Sequence, residues 1–144
     1  MSAPLALDTN AYAEIARGTP QGARLRALVS AERRWVVVLA PVVSELLQRL
    51  PDPAYRKQIL ATVYEAVPAP RRVVPAAADW IATGTLVAAL AAVGHDREEL
   101  RRRNFYLDLH VAVVCRARGI TLVTADADHV RIQPHVGHRL RAFP

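Results

Sequence analysis

Ala3-Pro4-Leu5-Ala6-Leu7-Asp8-Thr9-Asn10 and, far downstream, Ile120-Thr121-Leu122-Val123-Thr124-Ala125-Asp126 share one pattern: a short uncharged run, largely apolar, that closes on an aspartate. A run of this kind reads as a strand buried on both faces, as in a parallel sheet. The aspartate then stands at the strand's carboxyl end, where open α/β sheets gather their ligands. Two such ends lying side by side would bring two carboxylates into one crevice.

Working outward, strands alternate with helices. Asn10 to Arg17 reads as a helix ended by Gly18, and Gln21 to Glu32 carries Leu25 and Leu28 at helical spacing. Trp35-Val36-Val37-Val38-Leu39 is a β-branched run suited to a second buried strand. Pro41 opens the next helix at its first turn, and Val43, Leu46, Leu47 and Leu50 form its apolar stripe. Pro51-Asp52-Pro53 ends that helix, and a further one runs from about Ala54 to Tyr64. Arg72-Val73-Val74 is a candidate short strand, and Ala76 to Val93 a long alanine-rich helix ended by Gly94. His95 to Arg103 is charged and expected to be exposed, residues 104–118 form a helix stopped by Gly119, and residues 139–143 offer a last edge strand. This alternation predicts an α/β fold with a mainly parallel central sheet flanked by helices, in one domain spanning residues 1–144.

Composition narrows the function classes. At 144 residues and 52% hydrophobic content the chain can bury a real core. No charge-free apolar run is long enough for a bilayer, and the N-terminus lacks the basic start and apolar core of a signal peptide, so a cytoplasmic protein is expected. The single Cys115 excludes an internal disulfide, and its apolar helical setting predicts a buried, inert thiol. Net charge is +6, and Lys57 is the one lysine among 19 basic residues. The guanidinium fork suits phosphate, so an anionic polymer is the favoured partner class, although a genome-wide arginine bias would leave the same imprint.

Against that basic background four acids stand out. Asp8 ends the first strand; a helix N-cap explains it too, and the two roles coexist. Glu45 lies off its helix's apolar stripe and four residues before Arg49, the order that favours a surface ion pair. Its place one turn into a helix that follows a buried strand keeps it a site candidate. Asp108 shares a helix face with Val111, Ala112 and Cys115, where an ionised carboxylate needs a cation or several donors; an arginine such as Arg101 would serve. Asp126 and Asp128 share one side if Thr124-Ala125-Asp126-Ala127-Asp128 stays extended, whereas an ordinary loop cap would also account for Asp126. His129, His135 and His138 fit no zinc spacing and are expected at the surface or beside bound nucleic acid. Asp52, Asp79 and Asp96 fall where helix capping explains them. An oxygen cage built from the four acids would suit a hard divalent cation.

In order and spacing these segments resemble the PIN-domain nucleases, in particular the VapC-type toxins of prokaryotic toxin–antitoxin pairs. The resemblance rests on Leu7-Asp8-Thr9-Asn10, on Ser44-Glu45-Leu46-Leu47, on Leu107-Asp108-Leu109-His110-Val111-Ala112 and on Leu122-Val123-Thr124-Ala125-Asp126-Ala127-Asp128. It implies a Mg²⁺- or Mn²⁺-dependent endoribonuclease whose catalytic and metal-binding acids are Asp8, Glu45, Asp108 and Asp126, with Asp8 and Asp108 foremost among direct ligands. Thr9, Asn10, Thr124 and Asp128 would be supporting polar residues, and hydrolysis would leave 5′-phosphate and 3′-hydroxyl ends. It implies as well a homodimer and a cognate antitoxin protein. The aromatic usual after the last acidic pair is replaced here by His129. Arg101, Arg102 and Arg103 immediately precede the Asp108 helix and are candidates for holding substrate RNA; a solvated helix start is the plainer account.

Two other readings compete. A phosphatase with an aspartyl nucleophile would need a second aspartate near Asp8, and Asp8-Thr9-Asn10 lacks it. A non-catalytic PIN-fold module that binds nucleic acid or protein would not need the complete acid set.

Overall fold

Short strands and longer helices share out the chain. The computed structural model describes residues 3–144. β1 (Leu5–Leu7) leads into α1 (Thr9–Arg17), and Gly18, in the left-handed conformation at φ 67°, closes that helix. α2 (Pro20–Ala31) starts from a Thr19 cap whose hydroxyl accepts a 2.9 Å hydrogen bond from the Gly22 amide. β2 (Val38–Leu39) runs directly into α3 (Ala40–Gln48), with Pro41 in its first turn. α4 (Pro53–Ile59) passes into a π-helical turn at Leu60–Glu65, and a 3₁₀ turn precedes β3 (Arg72–Val73). α5 (Ala77–Ala92), α6 (Arg97–Arg101), α7 (Arg103–Arg118), β4 (Thr121–Val123), α8 (Ala127–Val136) and β5 (Arg139–Arg141) complete the order.

All strand pairs are parallel. β4 lies between β1 and β5, and β2 pairs with β3. A parallel bridge between Leu5 and Val36 joins the two groups, so the strands follow the order 3-2-1-4-5. The chain moves outward from β1 to β3, then returns to β4 on β1's other side. That reversal creates a crevice between the carboxyl ends of β1 and β4. Register places Leu7 opposite Val123, which brings Asp8 beside Thr124.

Strand alternation divides the core. Leu5, Leu7 and Val123 pack with Ala11 and Leu25 of α1 and α2, whereas Ala6 and Leu122 pack with Leu39, Val42, Val111 and Val114 on the opposite side. A third cluster joins Leu90, Leu100, Phe105, Leu109 and Ile132. Each wholly buried leucine contributes roughly 2 kcal/mol of transfer free energy. Cys115 lies in this core, and burial pushes its thiol up to about 12. Among the described residues no helix is long and apolar enough to cross a membrane.

The expected α/β architecture with a parallel sheet is therefore present, with four local corrections. Residues 127–136 do not stay extended after Asp126 but form α8, which Asp126 caps by accepting from the Asp128 amide at 2.8 Å. The charged stretch from His95 contains α6, whose Leu100 is buried. Only Val38–Leu39 of the Trp35–Leu39 run is regular strand, and Trp35 lies partly in solvent. Asp79 is not a simple cap: both its oxygens accept from Arg118, at 3.1 and 2.8 Å, and Oδ2 also accepts from the Ala76 amide. The Arg118 guanidinium holds the Asp79 carboxyl below the usual carboxylate range and ties α5 to α7.

Candidate active site

The crevice at the ends of β1 and β4 is a cavity of about 110 Å³ that Asp8, Thr9, Asn10, Glu45, Asp108, Asp126 and Asp128 line. It thus gathers the four acids read from the sequence and three of their four expected supporters; the fourth, Thr124, bonds to Asp8 just beneath. Each element delivers its residue for a local reason. Asp8 is the N-cap of α1, with Oδ1 accepting from the Ala11 amide at 2.9 Å. Its Oδ2 accepts from the Thr124 hydroxyl, and Thr124 Oγ1 in turn accepts from the Asp126 amide at 3.0 Å. Capping and site roles coincide at both Asp8 and Asp126. Glu45 projects from α3; its Oε2 accepts from Thr9 Oγ1 at 2.8 Å and its Oε1 from Arg49 Nη2 at 2.7 Å. The surface-pair reading of Glu45 was therefore right about its partner, and the same pair faces the cavity.

Asp108 extends from α7 without an arginine partner, so Arg101 does not play that part. One carboxylate oxygen each from Asp108, Asp126 and Asp128 fall within 4.8 Å of one another, a single such group among the described residues. Asp128, expected as a supporting residue, is a member of this group. Burial is the main cause that pushes the Asp108 carboxyl up to about 8, and the carboxylates of Asp126, Glu45, Asp128 and Asp8 push the same way. Burial also raises Asp8 above its ordinary value, against the opposing hydrogen bonds from Thr124 and Ala11. Carboxylates crowded this closely await a positive charge.

The donor set fits a hard divalent ion. Mg²⁺ and Mn²⁺ prefer oxygen ligands, and Mg²⁺ keeps several waters, for which the cavity has room. Asp108, Asp126 and Asp128 could meet such an ion together; the oxygens of Asp8 and Glu45 each accept one bond, from hydroxyls, an amide and a guanidinium, and keep further lone pairs.

Three polar residues of the cavity were not among the site residues expected from the sequence. Asn104 sits one turn before Asp108 on α7, and i, i+4 spacing from Asp108 would have found it. Arg49 lines the mouth. His129 is 2% exposed, with Nε2 3.6 Å from Asp108 Oδ1. The expectation of surface histidines fails for His129 and His138, which are buried with ring centroids 5.7 Å apart; His135 alone is exposed. Burial lowers the His129 imidazole to about 4, with His138 adding to the effect. The helix α8 turns His129 inward beside Ile132, a result invisible while this segment reads as a loop.

The three arginines around the start of α7 separate. Arg102 and Arg103 line a shallow groove with Asn104 and Asp128 that adjoins the cavity. Arg101 instead flanks an apolar groove with Val87, Ala88 and Ala91 on α5.

Comparison with known proteins agrees with this architecture. The PIN domain family matches residues 5–133. No curated protein matches the chain. A structure of FitAB bound to an IR36 DNA fragment superposes with a TM-score of 0.68 at 15% identity, covering 96% of this chain and 94% of that one. FitAcB from Neisseria gonorrhoeae superposes with a TM-score of 0.67 at 17% identity, covering 94% and 95%. Identities this low speak to the fold alone, but the family match runs from β1 into α8 and encloses every acid of the crevice. On that match, and with a fold and an acid cluster that agree with it, the chain belongs to the PIN domain family.

Proposed function

We propose that the acidic crevice is the active site of a Mg²⁺- or Mn²⁺-dependent endoribonuclease, and that the protein is the toxin of a type II toxin–antitoxin pair. The observation that carries the first part is the convergence of Asp8, Glu45, Asp108, Asp126 and Asp128 on one small cavity in a chain of net charge +6. Asp108, Asp126 and Asp128 would hold the ion. When bound, it supplies a positive charge that offsets the carboxylates, acidifies water and stabilises the charge that develops on phosphate oxygens.

The chain's own residues then have distinct tasks. Thr9 and Thr124 fix the orientations of Glu45 and Asp8 by donating hydroxyl protons to them. Asn104, with donor and acceptor atoms at the cavity wall, suits a ribose or phosphate oxygen. Arg102 and Arg103 hold flanking phosphates in the adjoining groove; Arg101, which flanks the apolar groove beside α5 instead, is left out of that track. A homodimer and a protein antitoxin complete the proposal, and the shared fold with FitAB supports the partner part of it.

The test is cleavage of labelled RNA by purified protein with Mg²⁺ or Mn²⁺. Wild type should cut, and Asp8→Asn and Asp108→Asn should each lower the rate by about a hundredfold or more, the scale set by losing a group that organises transition-state charge. Cleavage retained at wild-type rate in both variants would contradict the assignment, whereas RNA bound but not cut by the wild type would favour a binding module that kept the fold.

A further inference from the structure

Arg49 is the one arginine that lines the acidic cavity. It stands at the C-terminal end of α3, one turn beyond Glu45, so the helix itself holds the two side chains on one face. Its Nη2 donates to Glu45 Oε1 at 2.7 Å, and Nη1 reaches Asn10 Oδ1 at 3.5 Å. Half of its side chain remains in solvent (48%), against 15% for Glu45. A guanidinium carries five donors, and these two contacts leave most of them free.

A site made of carboxylates faces a difficulty with a polyanionic substrate. Its own field repels the phosphate it must receive. A plain surface pair between Arg49 and Glu45 would explain the 2.7 Å contact but not its position on the cavity wall, nor the second bond to Asn10. From this geometry we infer that Arg49 is a substrate-binding residue: it receives an RNA phosphate at the cavity mouth while its pair with Glu45 keeps it aimed inward. The fork shape matters, since one edge can hold a carboxylate as another meets phosphate oxygens. The pair has a second consequence. Arg49 neutralises part of the acidic charge, and so weakens the site's hold on a divalent ion.

These two effects have opposite signs, which separates them from a loss of structure. The inference rests on the reading of the crevice as a metal-dependent RNA site, so the experiment reports on both. Labelled single-stranded RNA is titrated in Mg²⁺ by fluorescence anisotropy, in an Asp8→Asn background that keeps the RNA whole. Arg49→Gln should weaken binding about fivefold, and should reduce the slope of log affinity against log salt by about 0.7, the value for one phosphate contact on a single strand. Arg49→Lys, which keeps the charge without the fork, should preserve the slope and recover part of the affinity. Calorimetric titration of Mn²⁺ alone, with Asp8 intact, should show tighter binding in Arg49→Gln than in wild type. Unchanged RNA affinity and salt slope in Arg49→Gln, with Mn²⁺ still bound by wild type, would overturn the role of Arg49 and leave the site reading standing. Loss of both RNA and Mn²⁺ binding would overturn it too, as the mark of a structural residue. Absence of Mn²⁺ binding in wild type would overturn the site reading and this inference with it.

Discussion

At Asp108, burial and the neighbouring carboxylates act together, and the carboxyl is pushed up to about 8. In the unfolded chain the same group titrates near about 3.9. Between these values the folded protein binds the extra proton, so without metal its stability falls as pH rises through the interval. The contribution of Asp108 is fully present below about pH 4 and gone above about pH 8. Asp108→Asn, which cannot ionise, should flatten this decline. In chelator, thermal unfolding should show the variant gaining on wild type as pH rises from about 4 to about 8; parallel curves would refute the strained carboxylate. The apolar stripe around Asp108 made this residue legible in the sequence, because a charge among Val111, Ala112 and Cys115 demands a partner. His129 was not legible. Its burial depends on α8, and the Asp-Ala-Asp segment before it gave no apolar period from which to read a helix.

At the scale of elements, strand runs and helix stops carried the most information. Largely apolar runs closed by aspartate or followed by proline marked β1, β2 and β4, and Gly18 and Gly119 marked the ends of α1 and α7 through their left-handed conformations. What stayed hidden were features that tertiary packing decides: the shortness of β2, the π-helical turn after α4 and the small helix α6, whose Leu100 is its one buried residue. Close approach of α1 and α2 is another such feature. A Cβ at Gly22 would stand 2.1 Å from the Glu14 carbonyl oxygen, a backbone atom that cannot rotate aside. Gly22→Ala should therefore destabilise the fold by about 2–3 kcal/mol despite alanine's better helix propensity. A denaturant midpoint equal to wild type would show that the two helices separate without cost.

Over the whole molecule, topology does what local pattern could only suggest. Strand order 3-2-1-4-5 opens a crevice beside β1, and parallel register sets Asp8 next to Thr124; α3 and α7 then bring Glu45 and Asp108 from the flanking layer. No single segment of sequence states that meeting, although the order of the four acids along the chain implied it. Positive charge surrounds the crevice through Arg49, Arg102 and Arg103, so a polyanion can approach a negative centre. Every role assigned around the crevice depends on that centre being a cation site. Calorimetric titration of Mn²⁺ into the wild type, Asp108→Asn and Asp126→Asn tests it most directly. Saturable binding by wild type, weakened at least about tenfold in each variant, is the predicted result. No binding by wild type, or equal affinity in all three proteins, would contradict it.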